Sequence, residues 1–265
     1  MFKIGVRGHD VGKFDAQQLS EEITAFGFKG VQLVFKKALL DQRYDNLDRF
    51  KSFKPDIYML GAYFNPVHPN KDEVIKGVNY FKDMLSIQTT LNASYVGTES
   101  GSLMGSPWGY MKENHTDETF EMLFPIFEDL LAHAEKVDGK IAIEGAWNHV
   151  LYSPKRVNEF VRRLNHDRLF VTVDLYNFLN IDNYKHQNEI FDEAIHLMKD
   201  KIKIIHFKDY IVEDNKLKQV GLGQGLMDYP YIINKIKQEL PHAFLIFEGV
   251  KRDDLKSSLA YINTL

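Results

Sequence analysis

The chain has 265 residues, enough for a large core and one barrel-sized domain, and its composition, 44% hydrophobic and 26% charged, is typical of a globular protein. The net charge of −4 argues against binding to a nucleic-acid backbone, and the lack of cysteine excludes disulfides, thiolate nucleophiles and sulfur-ligated metals. No leader pattern opens the sequence, and no apolar run approaches the roughly 20 residues of a membrane helix. We therefore expect a cytoplasmic protein with neither nucleic acid nor a membrane as a partner.

The first half of the chain alternates between short apolar runs and helical patterns. Asp15, with Gln18 three residues later, predicts the start of a helix that ends at Gly27. Further helices are predicted over residues 41–53, which are charged and amphipathic, and over residues 72–91. The apolar runs predict strands over residues 2–6, 30–35, 56–64 and 94–98.

A long loop and a second series of alternating elements follow. Residues 100–116 form the loop, and its aromatic residues Trp108 and Tyr110 favour a functional segment over a disordered one. The next helix spans residues 117–137 and contains Pro125, where we expect a kink. Strands are predicted over residues 140–144, 169–174, 202–207 and 243–248, and helices over residues 154–164, 186–199, 228–240 and 253–265.

Eight strands that alternate strictly with eight helices predict the fold. Alternation implies parallel strands joined by helical crossovers, and eight such units in this length are typical of a single (β/α)8 TIM barrel. No linker interrupts the series, so we expect one domain over residues 1–265. An open doubly wound sheet is the competing architecture, but it would not bring four strand ends around one axis. In a barrel, the active site lies at the C-terminal ends of the strands.

Four consecutive predicted strands each end in a residue that can bind a metal. Three carboxylates that converge with one imidazole would repel one another unless a cation neutralised them. Such an oxygen-rich set favours one divalent metal ion, Mn²⁺ or Mg²⁺, although Co²⁺ or Zn²⁺ would also fit. The alternative is four buried polar residues in unrelated hydrogen bonds. The candidate metal ligands are Glu144, Asp174, His206 and Glu248.

The same residues suggest a reaction class. A metal with open positions can chelate a sugar hydroxyl and its neighbouring carbonyl and act as a Lewis acid on the developing enediolate. Glu144 and Glu248 lie on flanking strands, and we interpret them as the catalytic acid and base. Two bases on opposite faces would give epimerisation, whereas one base would give aldose–ketose isomerisation, and both outcomes stay open.

The second half of the chain resembles the sugar phosphate isomerase/epimerase superfamily, whose barrel is similar to that of xylose isomerase. The resemblance is carried by the motifs I-A-I-E-G, V-T-V-D-L-Y-N, I-I-H-F-K-D, G-L-G-Q-G-L-M-D-Y and I-F-E-G. The first half matches only in layout, for example around Gln32, where relatives often have glutamate. The resemblance implies that the four strand-end residues hold one divalent metal and that the two glutamates act as acid and base.

Two departures from the superfamily pattern argue against particular branches of the superfamily. Ketose epimerases of the tagatose type have histidine where this chain has Asn177 and arginine where it has Val212. The apurinic endonuclease branch also has histidine at the position of Asn177, and it needs further histidines that this sequence lacks. The resemblance therefore implies a carbohydrate substrate without identifying it. Relatives are often dimers or tetramers, so a homo-oligomer is also left open.

Seven further residues are candidates for substrate binding. Each also has an ordinary structural interpretation, such as a loop salt bridge for a charged residue, loop anchoring for an aromatic one, or an ion pair for a buried arginine. The glycine run 221–225 is not a dinucleotide fingerprint, and we interpret it as a flexible turn beside the site. The candidates are Arg7, His68, Trp108, Trp147, Asn177, Lys208 and Asp209.

The leading hypothesis is a divalent-metal-dependent isomerase or epimerase of a small sugar, sugar phosphate or related polyol ketone. Its chemistry would be proton abstraction α to a metal-bound carbonyl. A metal-dependent lyase or dehydratase on a cyclic hydroxy-ketone is one alternative, and it would release water without forming an isomer. A non-catalytic sugar-binding barrel is the other, and it would need no metal.

Overall fold

The backbone of the protein closes into an eight-stranded parallel barrel, which confirms the predicted fold. The computed structural model describes residues 2–105 and 108–265, so two residues of the long loop over 100–116 lie outside the described part. The barrel strands are β1 (Lys3–Arg7), β2 (Gly30–Leu33), β3 (Asp56–Gly61), β4 (Tyr95–Glu99), β5 (Ile141–Glu144), β6 (Leu169–Asp174), β7 (Ile202–Phe207) and β10 (Phe244–Phe247), and two further strands between β7 and β10 form a separate hairpin. Around the barrel the strands follow the order β1-β10-β7-β6-β5-β4-β3-β2.

Helices cover the outside of the barrel and connect successive strands. Their inner faces pack on the strands in one continuous apolar core. None of the helices in the described ranges is long and apolar enough to cross a membrane. They are α1 (Gly8–Val11), α2 (Ala16–Ala25), α3 (Phe35–Ala38), α4 (Lys71–Gln88), α5 (Asp117–Glu121), α6 (Leu123–Lys136), α7 (Pro154–Leu164), α8 (Leu175–Phe178), α9 (Gln187–Met198), α10 (Tyr229–Glu239) and α11 (Leu255–Asn263).

Two predicted helix starts have the expected hydrogen bonds. The side chain of Asp15 accepts a hydrogen bond from the backbone N–H of Gln18 at 2.8 Å. The hydroxyl oxygen of Ser153 accepts one from the backbone N–H of Arg156 at 3.3 Å. Each bond satisfies a backbone donor that has no partner within the first turn of its helix.

The predicted helix over residues 41–53 is wrong. Only a single 3₁₀ turn, Asp48–Phe50, forms in this segment. Asp41 accepts a hydrogen bond from the backbone N–H of Arg43 at 3.1 Å and lies 3.1 Å from Nη1 of Arg49. Local side-chain bonds of this kind compete with the helical hydrogen-bond pattern, and the periodicity of the apolar residues did not reveal them.

The predicted helix over residues 117–137 is divided in two. Helix α5 ends at Glu121 and α6 begins at Leu123, so the break lies just before Pro125 and replaces the expected kink. Proline has no N–H, and its ring clashes with the carbonyl four residues earlier, which is that of Glu121. The break at Met122 is therefore the local effect of the proline.

A hairpin that the sequence interpretation missed lies between the seventh and eighth barrel strands. Strands β8 (Asp209–Glu213) and β9 (Lys216–Val220) pair antiparallel as a separate two-stranded sheet. Asp214 and Asn215 form the two-residue turn with φ values of 49° and 57°. Aspartate and asparagine tolerate this left-handed conformation, so the dipeptide is a hairpin signal.

Candidate metal centre at the mouth of the barrel

Three of the four predicted ligands converge at the C-terminal ends of adjacent strands. Glu144 ends β5, Asp174 ends β6, and His206 lies opposite Asp174 in the parallel register of β6 and β7. Each offers one ligand atom, and these atoms all lie within 4.8 Å of one another. All three residues are buried, with at most 2% of their surface exposed. Two carboxylates and one imidazole therefore lie close together at the C-terminal ends of these strands.

Glu248 lies beside this group but belongs to a different set of contacts. Its Oε2 is 2.9 Å from Nδ1 of His206. Its Oε1 accepts a hydrogen bond from Nη1 of Arg7 at 2.7 Å and lies 3.4 Å from Nζ of Lys208. Glu248 is therefore next to the candidate ligands while it is paired with two permanent cations.

The ammonium group of Lys208 links the carboxylates to one another. Its Nζ lies 2.7 Å from Oδ2 of Asp174 and donates a hydrogen bond to Oδ1 of Asn177 at 3.1 Å. Asn177 in turn donates from Nδ2 to Oε1 of Glu144 at 2.6 Å. Asn177 therefore orients one carboxylate and one cation, so the structure brings both predicted substrate contacts into the wall of the centre.

The two glutamates have opposite electrostatic environments. Burial raises the pKa of Glu144, and this effect outweighs the stabilising contact with His206. Burial also acts to raise the pKa of Glu248, but Lys208, His206 and Arg7 together hold that pKa well below its usual range. The difference follows from the contacts, because Glu248 touches two permanent cations and Glu144 accepts its short bond from a neutral amide.

The donor set fits a divalent cation. Neither ring nitrogen of His206 makes a hydrogen bond of acceptable geometry within the described part of the chain, although the side chain is fully buried. Burial acts to lower the pKa of His206, but Glu248 and Glu144 outweigh it and raise the pKa well above its usual value. A buried imidazole whose Nδ1 faces oxygens of Glu144, Asp174 and Glu248 at 2.9 to 3.6 Å, without a well-aligned hydrogen bond in the described ranges, is the arrangement that a metal ion satisfies.

Two residues that the sequence interpretation did not select also reach the centre. Glu99 ends β4 and pairs in register with Glu144, and burial, aided by Glu144 and Glu248, raises its pKa to about 8. Tyr63 follows β3 and accepts a hydrogen bond from Nε2 of Gln32 at 2.7 Å. Burial, together with the charges of Glu248, Glu144 and Glu99, raises the pKa of Tyr63 well above its usual value. Glu99 follows an apolar strand as Glu144 does, so the same strand-end pattern could have identified it.

Asp209, a predicted substrate contact, holds a loop in this structure. Its Oδ1 accepts hydrogen bonds from the backbone N–H groups of Tyr210 and Met227, and its Oδ2 accepts from those of Gly223 and Gly225. These four bonds range from 2.8 to 3.0 Å, and the residue is 1% exposed. The glycine run is therefore tied to the end of β7 and is not the flexible turn that we expected.

Arg7 is likewise occupied by protein carboxylates. It donates to both oxygens of Asp10, at 3.0 and 2.7 Å, and to Glu248. Asp10 also accepts a hydrogen bond from the backbone N–H of Gly249 at 2.7 Å. The expected ion pair is present, but its partners are Glu248 and Asp10, and this pairing joins β1 to the end of β10.

The remaining candidates pack against other rings or line a cavity. The ring of Trp147 stacks on that of Tyr110, with centroids 5.6 Å apart and an interplanar angle of 25°. Trp108 meets the ring of His149 edge to face at 5.7 Å. His68 and Trp108 both line a cavity that also includes Tyr63. Trp147 therefore lies with the loop aromatics, whereas His68 and Trp108 share a separate recess.

Comparison with known proteins identifies the family of the fold. Residues 21–265 match the model of the xylose isomerase-like TIM barrel family. A search of curated protein sequences finds no match. Solved structures of low sequence identity share the fold over nearly the whole chain.

Three of these structures are representative. The apo form of 3-keto-D-glucoside 4-epimerase YcjR from E. coli is 13% identical, with a TM-score of 0.75 and coverage of 100% of both chains. The IolI protein with a bound zinc atom is 16% identical, with a TM-score of 0.76 and coverage of 99% of this chain and 97% of that one. The probable 3-DHS dehydratase AsbF from Bacillus anthracis is 14% identical, with a TM-score of 0.76 and coverage of 99% of both.

Proposed function

The chain belongs to the xylose isomerase-like TIM barrel family, and from that premise we propose that it is a divalent-metal-dependent isomerase or epimerase. Its substrate would be a small sugar, a sugar phosphate or a related polyol ketone. The observation that carries the proposal is the convergence of Glu144, Asp174 and His206, whose ligand atoms lie within 4.8 Å of one another at the mouth of the barrel.

Two of the four residues have two roles, as metal ligands and as proton-transfer groups. Glu144, Asp174 and His206 would hold the ion, with Glu248 as a fourth ligand beside His206. When bound, a divalent ion supplies Lewis-acid polarisation of a substrate carbonyl. Glu144 would remove the proton from the carbon next to that carbonyl. Asn177 fixes Oε1 of Glu144, and no permanent cation contacts this carboxylate in the described residues. Glu248, whose Oε2 lies 2.9 Å from Nδ1 of the same imidazole, is the second acid–base group.

The proposed ligands are compatible with two groups of metal ions. Three carboxylates and an imidazole form a moderately hard donor set, which favours Mn²⁺ or Mg²⁺. Co²⁺ and Zn²⁺ also accept such ligands, and the IolI structure is titled as holding a zinc atom.

A metal-dependent lyase is the second candidate, and one contact favours it over epimerisation. Glu248 is bound by Arg7 and lies 3.4 Å from Lys208, so its negative charge is already stabilised. Epimerisation needs a proton acceptor on each face of the substrate, whereas dehydration and isomerisation need only one. The likeness to the probable dehydratase AsbF concerns the fold, and it is compatible with this alternative.

Metal binding is tested with Asp174→Asn. We expect Mn²⁺, Mg²⁺, Co²⁺ or Zn²⁺ at 100 times its Kd to raise the free energy of unfolding of the wild-type protein by about 2.7 kcal/mol. Asp174→Asn removes one charged ligand oxygen and should lose this stabilisation. Asp182→Asn, in an exposed loop, is the matched control and should keep it. If no metal stabilises or copurifies with the wild-type protein, the proposal is wrong.

Proton transfer is tested by solvent-deuterium incorporation. Metal-loaded protein is incubated in D₂O with ketoses, aldoses and their phosphates, and the sugars are examined by mass spectrometry. We expect deuterium in one substrate class, and its loss in a Glu144→Gln variant that retains the metal. Loss of water from a substrate without an isomer would support the lyase. Sugar binding that survives Glu248→Gln, in a protein without metal, would support a non-catalytic binding barrel.

A further inference from the structure

A second recess is lined by residues of α4 and by residues that follow β2, β3 and β4 in the chain. Its volume is about 290 Å³. We call it the Tyr80 cavity, after the residue of α4 at its wall. The side chains that matter here are those of Lys36, Tyr63, His68, Lys76, Tyr80 and Trp108.

The phenol of Tyr80 is a donor without an acceptor. Its Oη is buried and finds no hydrogen-bond partner among residues 2–105 and 108–265. Burial raises the pKa of Tyr80 to about 12, so the phenol keeps its proton at neutral pH. A buried hydroxyl that lacks a partner costs free energy, which a ligand oxygen at this wall would recover.

Lys36 supplies a positive charge at the same wall. Its Nζ lies 4.2 Å from the centroid of the Tyr80 ring, and no carboxylate pairs with it in the described part of the chain. The second lysine of the cavity, Lys76, is paired with Glu73 at 2.7 Å. The recess therefore has an excess of positive charge that comes from Lys36.

His68 presents a further donor in its neutral form. Its Nδ1 accepts a hydrogen bond from the backbone N–H of Asn70 at 3.0 Å, so the ring proton is on Nε2. Asn65, which also lines the cavity, has its amide engaged with the carbonyls of Ser102 and Gly105 and its oxygen with backbone N–H groups. Apart from the carboxylate of Glu73, which also lines the cavity and is paired with Lys76, the polar groups of Tyr80, His68 and Lys36 are donors, one of them a cation.

Tyr63 connects the recess to the metal centre. It lines the Tyr80 cavity, and its hydroxyl is within electrostatic reach of Glu144 and Glu248. Tyr63 is bonded to Gln32, whose Oε1 is buried and has no partner in the described ranges. Whichever way the Gln32 amide is oriented, this pair leaves at least one donor and one acceptor free for a ligand that passes between the two regions.

We propose that the Tyr80 cavity binds an anionic group, a phosphate or a carboxylate, at the end of the substrate remote from the reacting carbon. The cavity is an anion site through Lys36, Tyr80 and His68. Its assignment to the substrate rests on the function proposed above. A charged sugar would then span from the cavity, past Tyr63, to the metal centre.

Anion binding is tested first, with inorganic phosphate and with acetate as probes of metal-loaded protein in calorimetric titrations. Lys36→Gln removes a charge-assisted contact and should weaken binding of the preferred anion by about 10-fold or more. Tyr80→Phe should weaken it less. Lys37→Gln is the matched control, because Lys37 is the exposed neighbour in α3 and does not line the cavity. The preferred probe distinguishes a phosphate end from a carboxylate end.

The outcomes separate this proposal from the proposed function. No binding of either anion, or equal binding by wild type and Lys36→Gln, would overturn the anion site. Deuterium exchange that favours neutral sugars and is unchanged in Lys36→Gln would overturn it while supporting the isomerase. Binding that depends on Lys36, with no exchange in any sugar, would retain the anion site and reject the proposed function.

Discussion

Asn177 illustrates how one neutral side chain can define the roles of its charged neighbours. Its Nδ2 donates to Glu144 and its Oδ1 accepts from Lys208, so the amide bridges a carboxylate and an ammonium group. Its own backbone N–H donates to Oδ1 of Asp174 at 3.1 Å, which holds the short helix α8 against the strand end. The Asn177 amide therefore lies between the carboxylate of Glu144 and the ammonium group of Lys208, which would otherwise neutralise that carboxylate. This arrangement is why we assign the proton-transfer role to Glu144.

His149, on the loop after β5, makes stability depend on pH. Burial lowers its pKa to about 4, from an ordinary value of 6.5. Between these values the unfolded chain binds a proton that the folded protein does not, so the free energy of unfolding falls as the pH drops. Between pH 7 and pH 5 this residue should account for a loss of about 2 kcal/mol.

Urea unfolding at the two pH values tests the role of His149. His149→Gln cannot bind the proton, so the fall in unfolding free energy between pH 7 and pH 5 should be smaller than in the wild type by the amount given above. His196→Gln, at an exposed position of α9, is the control and should behave as the wild type does. An identical pH dependence in wild type and His149→Gln would contradict the prediction.

At the scale of elements, the connection after β7 is built on Asp209. The glycines of the run let the backbone approach its carboxylate: Gly223 has a φ of 83°, and a Cβ on Gly225 would lie 2.2 Å from Oδ1 of Asp209. The hairpin β8–β9 begins at Asp209 itself and is attached to α8 by the hydroxyl of Tyr176, which donates to the carbonyl of Leu217 at 3.2 Å. One buried carboxylate thus holds together the hairpin and the loop that leads to α10.

Asp209→Asn should loosen this connection. The amide nitrogen of asparagine cannot accept a hydrogen bond, so the N–H groups of Gly223 and Gly225 would face another donor. Leaving such buried groups unpaired should lower the free energy of unfolding by about 3 kcal/mol. Hydrogen–deuterium exchange of residues 221–227 should become faster. Asp214→Asn, at the exposed hairpin turn where asparagine tolerates positive φ, is the control, and unchanged exchange in Asp209→Asn would contradict the prediction.

The elements that could be predicted are those whose side-chain pattern is local. Apolar runs that end in a polar residue located Glu144, Asp174 and His206, and the barrel closure then brought them together. The interpretation was wrong over residues 41–53, because side-chain bonds of Asp41 compete with helix formation there. The roles of Asp209 and Arg7 were also inaccessible, since they depend in part on distant residues: Gly223 lies 14 positions from Asp209, and Glu248 lies 241 positions from Arg7.

At the scale of the whole molecule, aromatic side chains fill the N-terminal end of the barrel. Tyr58 of β3 stacks on Phe244 of β10 with ring centroids 4.2 Å apart and an interplanar angle of 23°. These strands are not neighbours in the sheet, because β2 and β1 lie between them. The stack therefore crosses the interior of the barrel. Room for the ring exists because β2 begins with a glycine: a Cβ on Gly30 would lie 2.0 Å from Cε2 of Tyr58.

Gly30→Ala should consequently destabilise the closed barrel. The added methyl group cannot coexist with the ring of Tyr58, and overpacking of this kind costs about 3 kcal/mol. Gly8→Ala is the matched control, because a Cβ there would lie 3.3 Å from the Cβ of Ala38 and requires only a small adjustment. Urea unfolding measures both variants.

The double variant Gly30→Ala/Tyr58→Leu separates this clash from any other effect of the alanine. Tyr58→Leu alone removes the stack on Phe244 and should itself be destabilising. In the presence of Gly30→Ala, however, it also removes the clashing ring, so the double variant should be more stable than the sum of the single losses implies. Additive losses would mean that Gly30 is required for a reason other than the ring of Tyr58. A positive coupling would establish that packing across the interior, as well as hydrogen bonding between strands, determines how the barrel closes.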